Sequence, residues 1–532
     1  MKRIYLFAVT AYFALAFTGC IDLNKYPEGA TVTQKQKEDV YQLDPSKAAA
    51  GVNAIFAQFG IYGPNRTAFN GTLRHNDFGY PSIMLCTDAN GYDVVSEDNG
   101  YNWMGFDLDY TDRDFTSWEA RIVWNDLYKQ IFTANNVIVG IDPATGDPLS
   151  QFYLAQGLAA RAFSYLIAAQ LYQFNYAGHE SAPCVPIVTE KNANDAAING
   201  ALRASVQDVY TLIGTDISKA IDLLTSAEKG GIKRADKRYV SLAVAYGIRA
   251  RMNLAMQKWS DAAADAAKAI QVSDAKPASI AAVSVPAFWT STENNWMWGI
   301  IIAETDEVVS SGIVNWISHM GSLNYGYANY SKGKQVNKAL FESIPQSDVR
   351  KGWWLNEDKT SPNLSPEQQA FMKDNGYEAY TQVKFAPYKN EVGTATNAND
   401  IPLMRIEEMY LIKAEAEYKS GGNGKQTLEN FVKQYRDPSY TCTATNIQDE
   451  VYRQRRIELW GEGLTWYDLM RLNKPMDRRG GGYPNASMVF NIPAGSPVLL
   501  WRIPETEIQA NPALNESMNN PVAPLPEPVP DL

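Results

Sequence analysis

Histidine and cysteine are scarce in this chain of 532 residues, which holds three of the first and four of the second. His75, His179 and His319 lie far apart, outside any HExxH or His-x-His spacing, so a zinc centre or a histidine-based triad has little to build from. Cys20, Cys86, Cys184 and Cys442 include no CxxC pair. Cys86, Cys184 and Cys442 cannot all pair with one another; we read them as free buried thiols, one disulfide staying open in an oxidising compartment. The chain also lacks the GxGxxG and GxxxxGK-Ser/Thr loops that cradle phosphates and the GxSxG elbow of serine hydrolases. No cofactor and no metal are expected. Beyond residue 20 no apolar run approaches the ~18 residues that span a bilayer. Positive charge is in deficit, with 48 Lys and Arg against 59 Asp and Glu and a formal net charge of −11. That balance disfavours nucleic acid as a partner and says nothing against an uncharged ligand.

The N-terminus is rich in information. Lys2 and Arg3 precede an apolar run from Ile4 to Phe17, which closes on Phe17-Thr18-Gly19-Cys20. A positive start, a short apolar stretch and small residues read as a secretory signal peptide over residues 1–19. The ending resembles a bacterial lipobox, in which the cysteine thiol is lipidated and becomes the new N-terminus; an ordinary cleaved signal with an incidental cysteine is the alternative. Lipidation of Cys20 would give a stable anchor, since each buried CH₂ contributes roughly 0.8 kcal/mol. Residues 20–45 then form the lipidated N-terminus and tether. Residues 46–532, in a chain 45% hydrophobic and 20% charged, form one large domain.

Helical periodicity recurs along that domain. Trp118 to Val139 places Trp124, Leu127, Tyr128, Ile131 and Asn135 at steps of three and four. Gln151 to Gln173 is dense in alanine, letting neighbouring helices approach. Val206, Val209, Ile213, Ile217, Ile221 and Leu224 form one amphipathic stripe. Tyr239 to Met256 and Lys258 to Ile270 form a helical hairpin whose alanine-rich pattern resembles a tetratricopeptide repeat. Leu403 to Lys419 and Leu428 to Tyr435 repeat the theme. The fold class is mainly α: a tetratricopeptide-like helical scaffold carrying loop-rich aromatic inserts, at about 69–115 and 271–400, that form a ligand-binding face. Pro521 to Leu532 reads as an extended proline-rich tail.

Several motifs carry a family resemblance. Arg455-Arg456-Ile457-Glu458-Leu459-Trp460-Gly461-Glu462-Gly463, followed by Trp466-Tyr467-Asp468-Leu469-Met470-Arg471, resembles the C-terminal signature of the SusD/RagB family. Met404 to Ala416, Arg502 to Pro512 and Trp124-Asn125-Asp126-Leu127-Tyr128 fit the same family in the same order. Thr465 and Arg502 depart from its pattern. The resemblance implies a surface lipoprotein of the outer membrane that binds a glycan, an oligosaccharide or polysaccharide, and hands it to a SusC-like TonB-dependent transporter, without doing chemistry. Read from the residues alone, Arg455 and Glu458 stand one helical turn apart and can pair, within a buried network that ties helices together. A catalytic pair at Glu458 and Glu462 is the lesser alternative. A helical-repeat protein-interaction scaffold and a secreted glycoside hydrolase, which needs two carboxylates roughly 5–10 Å apart in a cleft, stay open as other classes.

Sugar rings present flat C–H faces on which aromatic side chains stack, while amides and carboxylates read the hydroxyls. The chain holds 13 Trp and 30 Tyr, and two clusters lie in the inserts. One runs from Arg74-His75-Asn76-Asp77 to Tyr101-Asn102-Trp103. The other includes Trp289, Trp296, Trp298, Trp316, Tyr325, Tyr327 and Tyr330. The candidate ligand residues are Asn76, Asp77, Asn102, Trp103, Trp296, Trp316, Tyr325 and Tyr327. The family's ligand site is also built from an N-terminal loop and a central insert, a match of regions only. Trp118, Trp124 and Trp259 sit on helical stripes and are expected in the core. Trp296 and Trp298 alternate in a strand-like run and are expected to share a side.

Overall fold

A computed structural model describes residues 34–96, 105–311, 315–326, 328–329 and 333–532. The expectations at Cys20, Asn102, Trp103 and Tyr327 lie outside the described residues.

The first half is a stack of antiparallel helices. After α1 (Ala49–Ala57) and α2 (Tyr80–Asn90) come α3 (Trp118–Ile138), α4 (Pro148–Tyr172) and α5 (Val206–Lys229). Each of the three long helices starts on a residue that caps it: Ser117, Asp147 and Ser205 accept the backbone N–H of Ala120, Ser150 and Asp208, satisfying donors that a helix start leaves open. In α4 the small residues Ala155, Ala159, Ala162 and Ala168 are completely buried. Gly157 lets α3 approach, because a Cβ there would come within 2.9 Å of Ile138 Cγ1. Arg161 of α4 grips Asp216 of α5 through two bonds of 2.7 and 2.8 Å.

The hairpin follows as α6 (Leu242–Ala255) and α7 (Trp259–Val272). It turns on Gln257, at φ +58°, and is pinned by the bidentate Arg249–Asp265 pair. Further on stand α8 (Trp316–Met320), α9 (Pro366–Asp374), α10 (Ile406–Lys419), α11 (Gly424–Tyr435), α12 (Ile447–Glu458) and α13 (Thr465–Arg471). α7 packs on α10 and α10 on α11, so helical pairs separated by more than a hundred residues of sequence join one scaffold. The expected architecture, mainly α and tetratricopeptide-like with inserts, is the one observed.

Leu403 to Arg405, expected at the start of a helix, instead end the strand β2 (Ile401–Arg405), which pairs antiparallel with β1 (Trp296–Ile300). All five residues of β1 are buried, so alternation along it does not separate an inner from an outer face. Trp296 and Trp298 are both fully buried, and the register shifts between them. The Trp298 indole donates to the Arg238 carbonyl at 2.8 Å.

The C-terminal motif is the keystone. Glu458, fully buried, accepts from Arg436, Arg405 and Arg350 at 2.8, 3.1 and 3.2 Å. Glu462 accepts from Lys384 at 2.6 Å and Arg405 at 2.8 Å. Arg350 also holds Asp348, and Arg436 reaches Glu407. Four cations thus meet four carboxylates, and the central insert, through Arg350 and Lys384, is locked to the helical scaffold. The expected buried network exists, with one correction: Arg455 does not pair with Glu458. It donates to Asp468 of α13 at 2.6 Å, because Glu458 is already saturated by three guanidinium groups. Gly463, at φ +67°, follows; a Cβ there would lie 2.6 Å from that of Met84, and its N–H donates to Asp88 at 2.9 Å. Cys86, Cys184 and Cys442 are buried free thiols.

Candidate functional site: the aromatic loop face

The loop before α2 and the first turn of α3 form one cluster. Ser117 caps α3, so Trp118 is the first helical residue and leaves the interior stripe. It is 39% exposed, a correction to its expected place in the core; Trp124, two turns on, is buried as expected. Trp259 is only partly buried, packed against the core. The Arg74 guanidinium lies 3.3 Å from the centre of the Trp118 ring, Arg121 lies at 5.2 Å, and Phe69 meets its edge at 5.0 Å. A cation over an indole face is attracted by the ring quadrupole. The stack fixes a large ring while leaving part of it in water.

Asn76 and Asp77 have different jobs. Asn76, half-buried, donates to Glu119 at 2.8 Å and so fastens the loop to α3. Asp77 is completely buried. It accepts from the Asn65 amide at 3.2 Å and the Asn65 backbone at 3.3 Å, and that same amide donates to Asp126 at 2.7 Å. Burial pushes the Asp77 carboxyl up to about 6 and Asp126 well above its ordinary value. Asp77 therefore shapes the loop from beneath and offers no surface to a ligand.

The central insert meets this loop at Phe78 and His319, whose rings lie 5.6 Å apart. His319 is fully buried in α8, and burial, with Lys334 and His75 nearby, lowers it to about 3. Tyr325 follows six residues later and is 50% exposed. Its backbone is held on both sides: its N–H donates to Thr394 at 2.8 Å, and Asn397 donates to its carbonyl at 3.0 Å. The ring is thus presented from a rigid turn.

Trp316 and Trp296 are not placed to touch a ligand. Both are 0% exposed, although each was a candidate. Asn315 caps the short α8 through the Ser318 N–H, which turns Trp316 inward onto Phe385 at 4.8 Å. Trp296 sits in the doubly covered strand β1. The glycines and asparagines around Trp316 read as exposed loop, yet Asn315, Asn324 and Asn329 are themselves buried. Trp118 and Arg74 were the informative pair missed as such, and the signal for them was Ser117 immediately before the tryptophan.

Comparison with known proteins places the chain. A family model described as the SusD family matches residues 323–521. A second, described as starch-binding associating with outer membrane, matches residues 84–254. SusD-like protein P38 of Formosa agariphila is 24% identical over 405 residues, covering 67% of this chain and 73% of that protein. Among solved structures, a SusD-like carbohydrate-binding protein of Bacteroides vulgatus superposes with a TM-score of 0.72 at 21% identity, covering 90% of this chain and 98% of its own. A laminarin-binding SusD-like protein superposes at 0.60 with 18% identity, covering 90% and 99%. At such identities the structural likeness speaks for the fold. The two family models match successive parts of the chain, and the SusD family model, over residues 323–521, spans the Arg455–Arg471 motif whose carboxylates knit the scaffold together; the chain belongs to the SusD/RagB family.

Proposed function

We propose that the protein is a lipid-anchored outer-membrane lipoprotein that binds a glycan at the aromatic loop face and passes it to a SusC-like TonB-dependent transporter. The observation that carries the binding reading is the Trp118–Arg74 stack beside Asn76 (Arg74 3.3 Å from the ring centre), with Tyr325 half exposed on the adjoining insert. A fixed, partly wet ring flanked by a guanidinium and an amide suits a sugar face and its hydroxyls. A matching family model described as starch-binding and a structural neighbour described as a laminarin-binding SusD-like protein support the same ligand class. The reading involves no catalysis. Glu458 and Glu462, the carboxylates of the motif, are buried and saturated by cations, so neither is free to protonate a glycosidic oxygen or to activate a water.

Calorimetry of the purified mature domain against neutral oligosaccharides tests the reading. Saturable binding, with the sugar recovered intact after long incubation, is the expected result. Failure of every glycan to bind, or release of shortened products, would refute it. The anchor and the partner have separate tests. Cys20→Ala should move the protein out of the membrane fraction, and gentle detergent extraction of the tagged protein should bring down a much larger β-barrel protein, through an interface on the order of 2,000 Å² or more.

A further inference from the structure

A second concave region lies on the central insert and shares no lining residue with the loop face. A cavity of about 910 Å³ is lined by Val285, Trp289, Glu293, Asn294, Asn363 and Asn390, among others. A neighbouring cavity of about 580 Å³ is lined by Phe341, Lys351, Asn356 and Tyr380. The two share Ser284, Pro362 and Asn363, so they form one elongated groove with a ridge at its middle. That length and shape suit a polymer chain better than a compact metabolite.

The ridge is rigidly built. The Val283 carbonyl accepts from the Trp353 indole at 2.9 Å and from the Asn363 amide at 3.3 Å. Ser361 Oγ donates to the Gly352 carbonyl at 2.6 Å, and a Cβ on Gly352 would strike Asn363 at 2.3 Å. Three residues along the groove hold the left-handed backbone that only glycine adopts freely: Phe288 at φ +61°, Tyr380 at φ +68° and Asn390 at φ +59°. Strain of this kind persists where the surroundings impose it and concentrates at binding sites. Trp289, in the first cavity, and Tyr380, in the second, remain partly exposed. Trp289 is steadied edge-on by Tyr388 at 5.7 Å, and Tyr380 by Phe341 at 5.2 Å.

Charge narrows the ligand. Glu293 lines the first cavity and Glu342 and Glu357 the second. Lys351 is the cation among the lining residues and donates to the Ile344 carbonyl at 2.7 Å; Lys338, paired with Glu342 at 3.8 Å, stands beside the second cavity with its ammonium 5.9 Å from the centre of the Tyr380 ring. Glu342 is balanced by Lys338 and Asp348 by Arg350, so Glu293 and Glu357 against Lys351 leave the walls net negative; rings, amides and carboxylates there suit sugar hydroxyls and repel uronate or sulfate groups.

From this geometry we infer that the groove from Trp289 to Tyr380 is a second binding site for a neutral oligosaccharide chain, independent of the loop face. The inference extends the glycan-binding reading to a separate surface, and the two stand or fall on different variants. The experiment is calorimetry of the mature domain with a panel of neutral hexa- and heptasaccharides, including laminarihexaose and maltoheptaose, with alginate hexamer as the acidic probe. Three proteins join the wild type: the double variant Trp118→Ala with Tyr325→Ala at the loop face, Trp289→Ala, and Val285→Arg. Val285 is half exposed, so an arginine there obstructs the groove without opening the core, and thermal melting checks that each variant folds. The expected result is two binding events per wild-type chain. The loop-face variant loses one; Trp289→Ala weakens the other about tenfold, the scale of one lost stacking ring; Val285→Arg removes it; alginate does not compete. One event abolished by the loop-face variant and untouched by Trp289→Ala and Val285→Arg overturns the groove and leaves the loop-face reading standing. One event abolished only by the groove variants supports the groove and overturns the loop face. Alginate binding in the groove as tightly as the neutral chains overturns the ligand class, and a wild type that binds nothing in the panel overturns both readings.

Discussion

Arg436 and Glu458 form a side-on pair in which the Arg436 Nε and Nη2 each donate to a different carboxylate oxygen at 2.8 Å, and both residues are fully buried. Burial alone would push the Glu458 carboxyl up. Arg436, Arg405 and Arg350 together outweigh it and hold the group well below the usual carboxylate range. The stability it contributes is therefore fully present above its ordinary value of 4.5 and is lost progressively as the pH falls from there toward the depressed value of the folded group.

Glu458→Gln tests this keystone. It keeps the shape and removes the charge, leaving three guanidinium groups short of a counter-ion. Breaking a buried pair from one side costs about 3–5 kcal/mol, so the urea midpoint should drop sharply with little change in slope. Glu304 and Lys389 form an exposed pair at 2.7 Å, and Glu304→Gln should leave the midpoint where it is. Equal effects from the two variants would mean that the buried network does not hold the insert to the scaffold.

Two tryptophans separate binding from packing. Trp316→Ala empties a fully buried site against Phe385 and should cost about 3–5 kcal/mol. Trp118→Ala removes a ring already half in water. It should leave stability nearly unchanged while weakening glycan binding about tenfold, one stacked ring being worth roughly 1–3 kcal/mol. Denaturation and calorimetry on both variants decide the matter. A Trp316→Ala protein of native stability that binds tenfold more weakly would reverse the assignment.

The helices were legible because their apolar positions repeat every three or four residues within one segment. Val206 to Leu224 reads the same in sequence and in space. The buried charges were legible only as charges: the partners of Glu458 stand 22, 53 and 108 residues away, at Arg436, Arg405 and Arg350, and no local pattern encodes them. The candidate site was legible as two regions and not residue by residue. Trp316 sits among Gly and Asn, composition that reads as exposed loop, yet those asparagines are spent on capping and on backbone carbonyls inside the protein. Trp118 sits on a helical stripe but at its first position, where the cap at Ser117 turns it outward.

Gly463→Ala probes the motif's backbone rather than its charges. At φ +67°, with Met84 Cβ 2.6 Å from where the new methyl would sit, alanine is both strained and clashing. Left-handed backbone costs a non-glycine roughly 1–2 kcal/mol, and the clash forces α2 away from the motif. A loss of at least about 2 kcal/mol by urea denaturation is expected. Gly231 has positive φ but open space around it, so Gly231→Ala should cost no more than the backbone term. A Gly463→Ala effect as small as that one would show that α2 shifts freely.

His319 gives the protein a defined acid weakness. It is buried beside Phe78, with His75 and Lys334 as the titratable neighbours that oppose its charge, and it is lowered from 6.5 to about 3. In the unfolded chain it binds a proton below about 6.5; in the folded chain it does so only near 3. The stability tied to its neutral form is thus fully present above pH 6.5 and declines as the pH falls through that window. Each pH unit is worth about 1.4 kcal/mol, so up to roughly 3 kcal/mol is lost between pH 6.5 and 4. His319→Phe replaces the imidazole by a ring that cannot titrate. Asp77, raised to about 6 by burial, works in the opposite sense, losing stability as the pH rises from 3.8 through 6, and it stays in both proteins as a common background. The difference in unfolding free energy between wild type and His319→Phe, measured from pH 7 to pH 4, isolates the histidine. That difference should move in favour of the variant as the pH falls. A difference independent of pH would mean that His319 takes up its proton in the folded protein near its ordinary value.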